Sequence, residues 1–265
     1  MKYIIGSGWW CAINNNKDRD NYYGDDSIRS SDFHEIWINS ILSNSNPERI
    51  CIIDSNSPIK PNIDPILKNI VFISLNENGG HSTQHTGKYS GWMRSVLHSM
   101  SYAQSCDCDY YIYIEQDALL SGSGVIEFCI NNMKKPYMFG KCNDFKNPLQ
   151  QSFFLIKKDY IDIFLSNLYS INYTDKQISP ERKFAIATSR LFKFIPKFIF
   201  ISPRNKLMKR LTWRAQNILC RIIGSYQYLP IGYGRDRPIN FLDKYFYFQH
   251  GNTDELINYK KKNDF

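Results

Sequence analysis

Four short runs of almost unbroken apolar, β-branched or aromatic residues constrain this chain most: Lys2 to Ile5, Arg49 to Asp54, Asn69 to Leu75 and Asp109 to Ile114. A strand with one face in water alternates polar and apolar residues, whereas a strand that does not alternate is buried on both faces, as in a parallel sheet covered by helices. Helix-compatible stretches lie between these runs, Ser31 to Leu42 after the first and Tyr89 to Ala103 before the fourth. The order strand, helix, strand, strand, helix, strand predicts an α/β fold with a mostly parallel sheet flanked by helices. Gly6-Ser7-Gly8 is expected to be the turn after the first strand. The second half is less regular. Tyr137 to Gly140, Gln151 to Ile156 and Phe198 to Ser202 have the composition of strands, and Asp159 to Leu168 that of a helix. With no internal repeat and no low-complexity linker, the expected organisation is a core over residues 1–178 and a C-terminal segment over 179–265 in the same domain.

At 265 residues the chain is long enough for a sizeable core. Its 18 Tyr and 17 Phe suit either a strand-rich core or a surface that presents rings. The seven cysteines are odd in number and scattered, which points to a reduced compartment, and Cys106-Asp107-Cys108 is too tight for a zinc knuckle and lacks a second ligand pair. Met1 to Gly6 has one charge and a very short apolar run, unlike a signal peptide, and no stretch is long enough to span a bilayer. A cytoplasmic location is expected, soluble or peripheral on the inner face of the membrane. The net charge of +8 is unevenly placed, since no Asp or Glu occurs from Arg182 through Arg235. An acidic partner is expected at that surface.

Tyr110 to Ile114 leads directly into Glu115-Gln116-Asp117. The tip of a parallel strand is where open α/β sheets place ligands, and two carboxylates there repel unless a cation lies between them. Mg²⁺ or Mn²⁺ takes oxygen ligands from one or two carboxylates and from substrate phosphates. A solvated acidic turn is the plainer alternative.

Asn78-Gly79-Gly80, Arg94 and Ala103 in the following helix, and the strand ending in Glu115-Gln116-Asp117 resemble the layout of the GT-A glycosyltransferases over roughly residues 1–120. The resemblance implies a Rossmann-like sheet, a nucleotide-diphosphate sugar as donor and a divalent cation on Asp117. Glu stands where that family has its first Asp, so Glu115 is expected to bind metal directly, through water, or to hold ribose. The resemblance also implies a nucleotide over the ends of the first strands. There Gly6, Ser7 and Gly8 would let backbone approach the donor, Asp54 would accept from base or ribose, and Trp9 or Trp10 would stack on a ring. Packing aromatics after a tight turn are the alternative for that stretch. Gly79 to Lys88 contains donors suited to phosphate or sugar hydroxyls, with Lys88 and Arg94 as donor-binding candidates and His81 and His85 as weaker ones.

An inverting transfer needs a carboxylate base. In Ser179-Pro180-Glu181-Arg182 the serine and proline suit a helix start, which puts Glu181 in the first turn; Asp144 is the rival base, and a capping glutamate the structural alternative. The resemblance further implies a late third metal ligand, for which His250 is the candidate, with Arg235 and Arg237 for diphosphate oxygens.

From Lys206 to Ile223, at 100° per residue, Lys206, Arg210, Arg214 and Arg221 share one arc, while Leu207, Met208, Leu211, Ala215, Ile218, Leu219 and Ile222 share the opposite one. This basic helical appendage, with Phe192-Lys193-Phe194-Ile195-Pro196-Lys197-Phe198 before it, suits an anionic membrane surface, or else a core-facing helix with a solvated basic face. The function expected is transfer of a sugar to a saccharide acceptor, lipid-linked, in surface polysaccharide synthesis. Two other readings stand beside it. A nucleotidyltransferase that makes nucleotide sugars would carry a Gly-rich, Arg- and Lys-containing first loop, which is missing here. A basic nucleic-acid binder would show a recognisable motif, and none is present, so no nucleic-acid partner is expected.

Overall fold

The computed structural model describes residues 1–12, 24–81, 87–143, 147–203 and 206–263. In chain order the elements are β1 (Tyr3–Trp9), α1 (Ser31–Asn44), β2 (Arg49–Asp54), β3 (Ile70–Ser74), α2 (Gly91–Gln104), β4 (Tyr110–Ile114) and β5 (Ala118–Ser121). They continue with α3 (Val125–Asn131), β6 (Tyr137–Gly140), β7 (Gln150–Lys157), α4 (Ile161–Ser170), α5 (Pro180–Ala187) and α6 (Lys206–Ile223). Last come β8 (Tyr226–Tyr228), β9 (Gly232–Gly234), β10 (Phe246–Gln249) and α7 (Thr253–Asn263).

A seven-stranded sheet runs in the order β3-β2-β1-β4-β7-β6-β8. β1 lies parallel to both β2 and β4, and only β7 runs against its neighbours β4 and β6. The non-alternating runs are explained by this arrangement, because both faces of the central strands are covered. Ile50 and Ile52 point into the cluster shared with α1 and α3, while Cys51 and Ile53 point into the one shared with α2, α4 and α5. A second sheet of three strands, β5-β10-β9, packs into the first cluster through Leu119, Leu120, Phe246 and Phe248. The fold is thus the expected mixed α/β architecture with a mostly parallel sheet and flanking helices. Residues after 179 supply three strands to the two sheets, β8 at one edge of the larger and, in the smaller, β10 beside β5 with β9 beyond it.

Two local expectations are corrected. Gly6-Ser7-Gly8 is not a turn but the middle of β1, and its glycines serve packing: a Cβ on Gly6 would lie 2.4 Å from the Tyr111 hydroxyl and 2.5 Å from Ser99 Oγ, and one on Gly8 would lie 2.6 Å from Ser95 Oγ. α2 can therefore settle directly on the strand. Phe198 to Ser202 is not a strand; Lys197–Phe200 is a single 3-10 turn following another at Phe192–Phe194. No helix among the described residues is long and apolar enough to cross a membrane.

Two outcomes follow. Gly6→Ala should destabilise the fold by about 1–3 kcal/mol in chemical denaturation, as overpacking does. His34 is buried between Trp9 and Trp37, neither ring nitrogen has a hydrogen-bond partner among the described residues, and burial pulls its pKa down to about 4. The unfolded chain takes up that proton near pH 6.5, so the stability held at neutral pH should fall by about 3 kcal/mol as pH drops from 6.5 toward 4. His34→Phe should flatten that part of the stability profile, measured by urea melts across pH.

Candidate active site

The turn after β4 is held from three sides. Glu115 donates its backbone N–H to the Ser152 carbonyl at 2.8 Å, and the Glu115 carbonyl accepts from Ala118 N at 3.0 Å and from Trp37 Nε1 at 3.0 Å. Between the two acids, Gln116 turns its amide to the backbone of Trp10, accepting from its N–H at 2.7 Å and donating to its carbonyl at 3.0 Å. The ends of β1 and β4 are strapped together in this way, so the acidic side chains stand on fixed backbone.

β10 crosses beside this turn because it pairs with β5, Gln249 opposite Ala118. The Gln249 amide nitrogen donates to Glu115 Oε2 and, at 2.9 Å, to Asp117 Oδ1. Behind it Arg235, on the loop after β9, donates from Nε to Gln249 Oε1 at 2.8 Å, and its backbone N–H donates to Gln150 Oε1 at 3.0 Å. Desolvation pushes the Glu115 carboxyl up to about 8, with Asp117 adding to it and Arg235 and Gln249 opposing. The desolvation of Arg235 acts against its charge, but Glu115, Glu181 and Asp117 outweigh it and raise its pKa. Glu181 therefore acts electrostatically on both Glu115 and Arg235.

The next residue, His250, has φ +57°, in the left-handed region that non-glycine residues seldom occupy. Its Nε2 comes 3.5 Å from Asp117 Oδ2. A strained residue held beside a carboxylate is the kind of local cost that folds retain at sites with a job. One carboxylate oxygen and one imidazole nitrogen at this separation, each at a strand tip, form an edge that a divalent cation fits. The other Asp117 oxygen is occupied by Gln249. Among the described residues no group of three or more His, Cys, Asp or Glu is placed to hold a metal by itself, so remaining ligands would come from substrate and water.

Glu181 stands in the first turn of α5, whose start is Pro180 after Ser179, although the Ser179 side chain makes no capping bond. The placement of α5 comes from a buried ion pair: Lys183 Nζ lies 2.7 Å from Asp175 Oδ1, both side chains almost fully buried, and Asp175 Oδ2 accepts at 2.7 Å from the N–H of Ser90, the N-cap of α2.

The other candidates lie at its edge or are engaged in other contacts. Trp9 is buried, with Nε1 on the Ile59 carbonyl at 2.8 Å, so it has no face for a nucleotide; Trp10 remains half-exposed at the edge of the site. Ser7 is buried within β1 and Gly6 and Gly8 face α2, so these three do not form a donor-binding loop. Asp54 is fully buried and its carboxylate is shared among Lys60, Ser74 Oγ and the Ser57 N–H, leaving it to brace the end of β2. Lys88 reaches the Tyr169 carbonyl at 2.6 Å, and Arg94 pairs with Glu77. Arg237 pairs with Glu255 at 2.5 Å and donates to the Gln249 carbonyl at 2.8 Å, which makes it a brace for β10. His81 is exposed, while His85 and Asp144 lie outside the described residues. Sequence reasoning missed Gln116, Gln150 and Gln249, and also Gln151, a buried residue at the start of β7 whose Nε2 has no hydrogen-bond partner among the described residues.

No protein-family model matches the sequence, and no curated protein matches it. Solved structures similar to this one include glycosyltransferases in complex with sugar ligands. The galactosyltransferase LgtC, in complex with donor and acceptor sugar analogs, aligns over 86% of this chain and 73% of its own at 13% identity, with a TM-score of 0.44. TarS of S. aureus in complex with UDP-GlcNAc aligns over 54% of this chain at 12% identity and a TM-score of 0.32, and only 35% of the TarS chain is covered. A putative glucose-1-phosphate thymidylyltransferase from Bacillus anthracis aligns over 99% of this chain and 94% of its own, at 10% identity and a TM-score of 0.38. Likeness at this level does not choose between transfer of a sugar and transfer of a nucleotide.

Gln249→Ala should destabilise the protein by about 1–3 kcal/mol, because it removes the donor shared by two crowded carboxylates. Gln249→Glu should be worse, since it sets a third carboxylate against them. Thermal melts at neutral pH order the three proteins.

Proposed function

We propose that the chain transfers a glycosyl group from a nucleotide-diphosphate sugar to a hydroxyl of a saccharide acceptor. The observation that carries the proposal is the Asp117–His250 edge, Oδ2 to Nε2 at 3.5 Å, set at the tip of β4 beside the Glu115–Gln249–Arg235 chain. Asp117 and His250 would hold a divalent cation, Mn²⁺ or Mg²⁺, with Glu115 behind them. Bound there, the ion would neutralise the diphosphate leaving group. Arg235 adds a fixed positive charge on the same side, suited to phosphate oxygens. The Gln151 amide nitrogen, which has no hydrogen-bond partner among the described residues, would be a donor to the sugar or its diphosphate.

Glu181 is the base for an inverting transfer. Its position on α5 is set from outside the site by the Lys183–Asp175 pair, and its charge acts on Glu115 and Arg235. A carboxylate held there would take the proton of an acceptor hydroxyl as the anomeric carbon is attacked. Nucleotidyl transfer is disfavoured because the glycines of β1 are taken up by α2 instead of forming a loop around phosphates.

A thermal-shift series with UDP-, GDP-, dTDP- and CMP-sugars, with and without Mn²⁺, tests the reading, since a ligand of the folded state raises its midpoint. One sugar nucleotide should stabilise the protein in a metal-dependent way, and Asp117→Asn and His250→Ala should each abolish the metal-dependent part. Glu181→Gln should lower kcat at least a hundredfold with donor KM unchanged. Pyrophosphate release from a nucleoside triphosphate and a sugar phosphate would overturn the proposal in favour of nucleotidyl transfer.

A further inference from the structure

α6 is amphipathic in the sense its sequence announces, but Leu211, Ala215, Ile218 and Ile222 of its apolar arc face outward, while Leu219 packs against the core. Leu211 and Ile222 are 71% and 74% exposed, Ile218 is 43% exposed, and Ala215 between them is exposed as well. These residues follow one another at intervals of four, three and four, which is a single stripe along the helix. The inward face carries Gln216, Asn217 and Cys220, all buried. Gln216 Nε2 donates to the carbonyls of Ile199 and Ile201 at 2.7 and 2.9 Å, and Asn217 Oδ1 accepts from Arg182 Nε at 3.0 Å. Polar side chains that would ordinarily face water help to fasten the helix beside Cys220, while Leu211, Ile218 and Ile222 are left outside. Arg221, on the basic arc, is also turned inward, to the carbonyls of Cys142 and Asn147.

The segment fastened to α6 by Gln216 has the same character. Leu191, Phe194 and Phe198 are exposed, Phe194 by 84%, although the turns that carry them are anchored by buried Phe192 and Phe200. Arg190, Lys193 and Arg214 are exposed among them. Exposed apolar residues clustered to this degree mark an interaction surface.

We propose that this face, formed by residues 190–199 and the outer stripe of α6, docks on an anionic lipid surface. Charge selects that occupant. The sequence from Arg182 through Arg235 has twelve Lys or Arg and no Asp or Glu. A symmetric pair of copies joined through this face would set its exposed cations, Arg190, Lys193 and Arg214, against one another. Anionic headgroups neutralise the cations while the acyl boundary takes up the leucine, isoleucine and phenylalanine side chains. The surface also has a short path to the candidate active site, because Arg182, bonded to α6, directly follows Glu181 on α5. An acceptor carried on a lipid would therefore arrive on the Glu181 side. The docking itself does not depend on the identity of the donor.

The test is flotation of the full chain with phosphatidylcholine vesicles, with and without phosphatidylglycerol, at low and high salt. The protein should float with anionic vesicles at low salt and bind neutral ones at least tenfold more weakly. Leu211→Gln, Ile218→Gln and Ile222→Gln together should weaken anionic binding tenfold or more with the melting temperature unchanged, since all three side chains are already in solvent. Arg190→Gln with Lys193→Gln should weaken it in the manner of added salt. Failure to float, equal binding to both vesicles, or a triple variant that floats like the wild type would overturn the proposal. A dimer in sedimentation that the same triple variant dissolves would assign the face to a second copy. None of these readouts uses a sugar nucleotide, so their failure leaves the glycosyl-transfer reading to its own test.

Discussion

Everything in the candidate site depends on one amide. Glu115 and Asp117 stand one residue apart at the end of a buried strand, where water cannot fully separate their charges. Gln249 donates to both, and Arg235 holds the other end of that amide, so the repulsion is answered by a neutral donor backed by a cation. With Asp117 Oδ1 committed, Oδ2 is left toward His250, and the strain at His250 is sustained by the strand pairing on one side and the Arg237 brace on the other. A weaker hold at Gln249 would free the acids to turn away from each other and scatter the geometry.

Much of the central sheet was legible because burial on both faces leaves a plain trace: Ile50, Cys51, Ile52 and Ile53 are all apolar, and each face has its own cluster to fill. Gly6 and Gly8 misled for a physical reason. Glycine breaks strands through its freedom, but here its lack of a side chain lets Ser95 and Ser99 of α2 approach, a demand set by an element some ninety residues away. The acidic pair was visible in the sequence. Its partners were not, since a glutamine whose meaning lies in a contact across 134 positions has no local pattern to announce it. Asp54 shows the converse: an acid at a strand end looks available until Lys60 and Ser74 are seen to share it.

The periodicity of α6 was also legible, but the face it turns inward was not. Apolar residues face the interior when nothing else can satisfy the buried surface. Polar groups take that place when they find partners, as the Gln216 amide nitrogen does on the carbonyls of Ile199 and Ile201. Orientation was decided by hydrogen bonds that a helical wheel does not contain.

β10 has a consequence for the order in which the molecule comes into being. The acidic turn lies near residue 115 and its neutralising strand near residue 249, and β10 also supplies the middle strand of the smaller sheet. During synthesis the larger sheet has most of its strands in hand long before that strand emerges. Until it does, β5 has no partner, the two carboxylates have no shared donor, and His250 has not yet been made. A ribosome-bound fragment can thus own the acids of the candidate site without the strand that brings their shared donor.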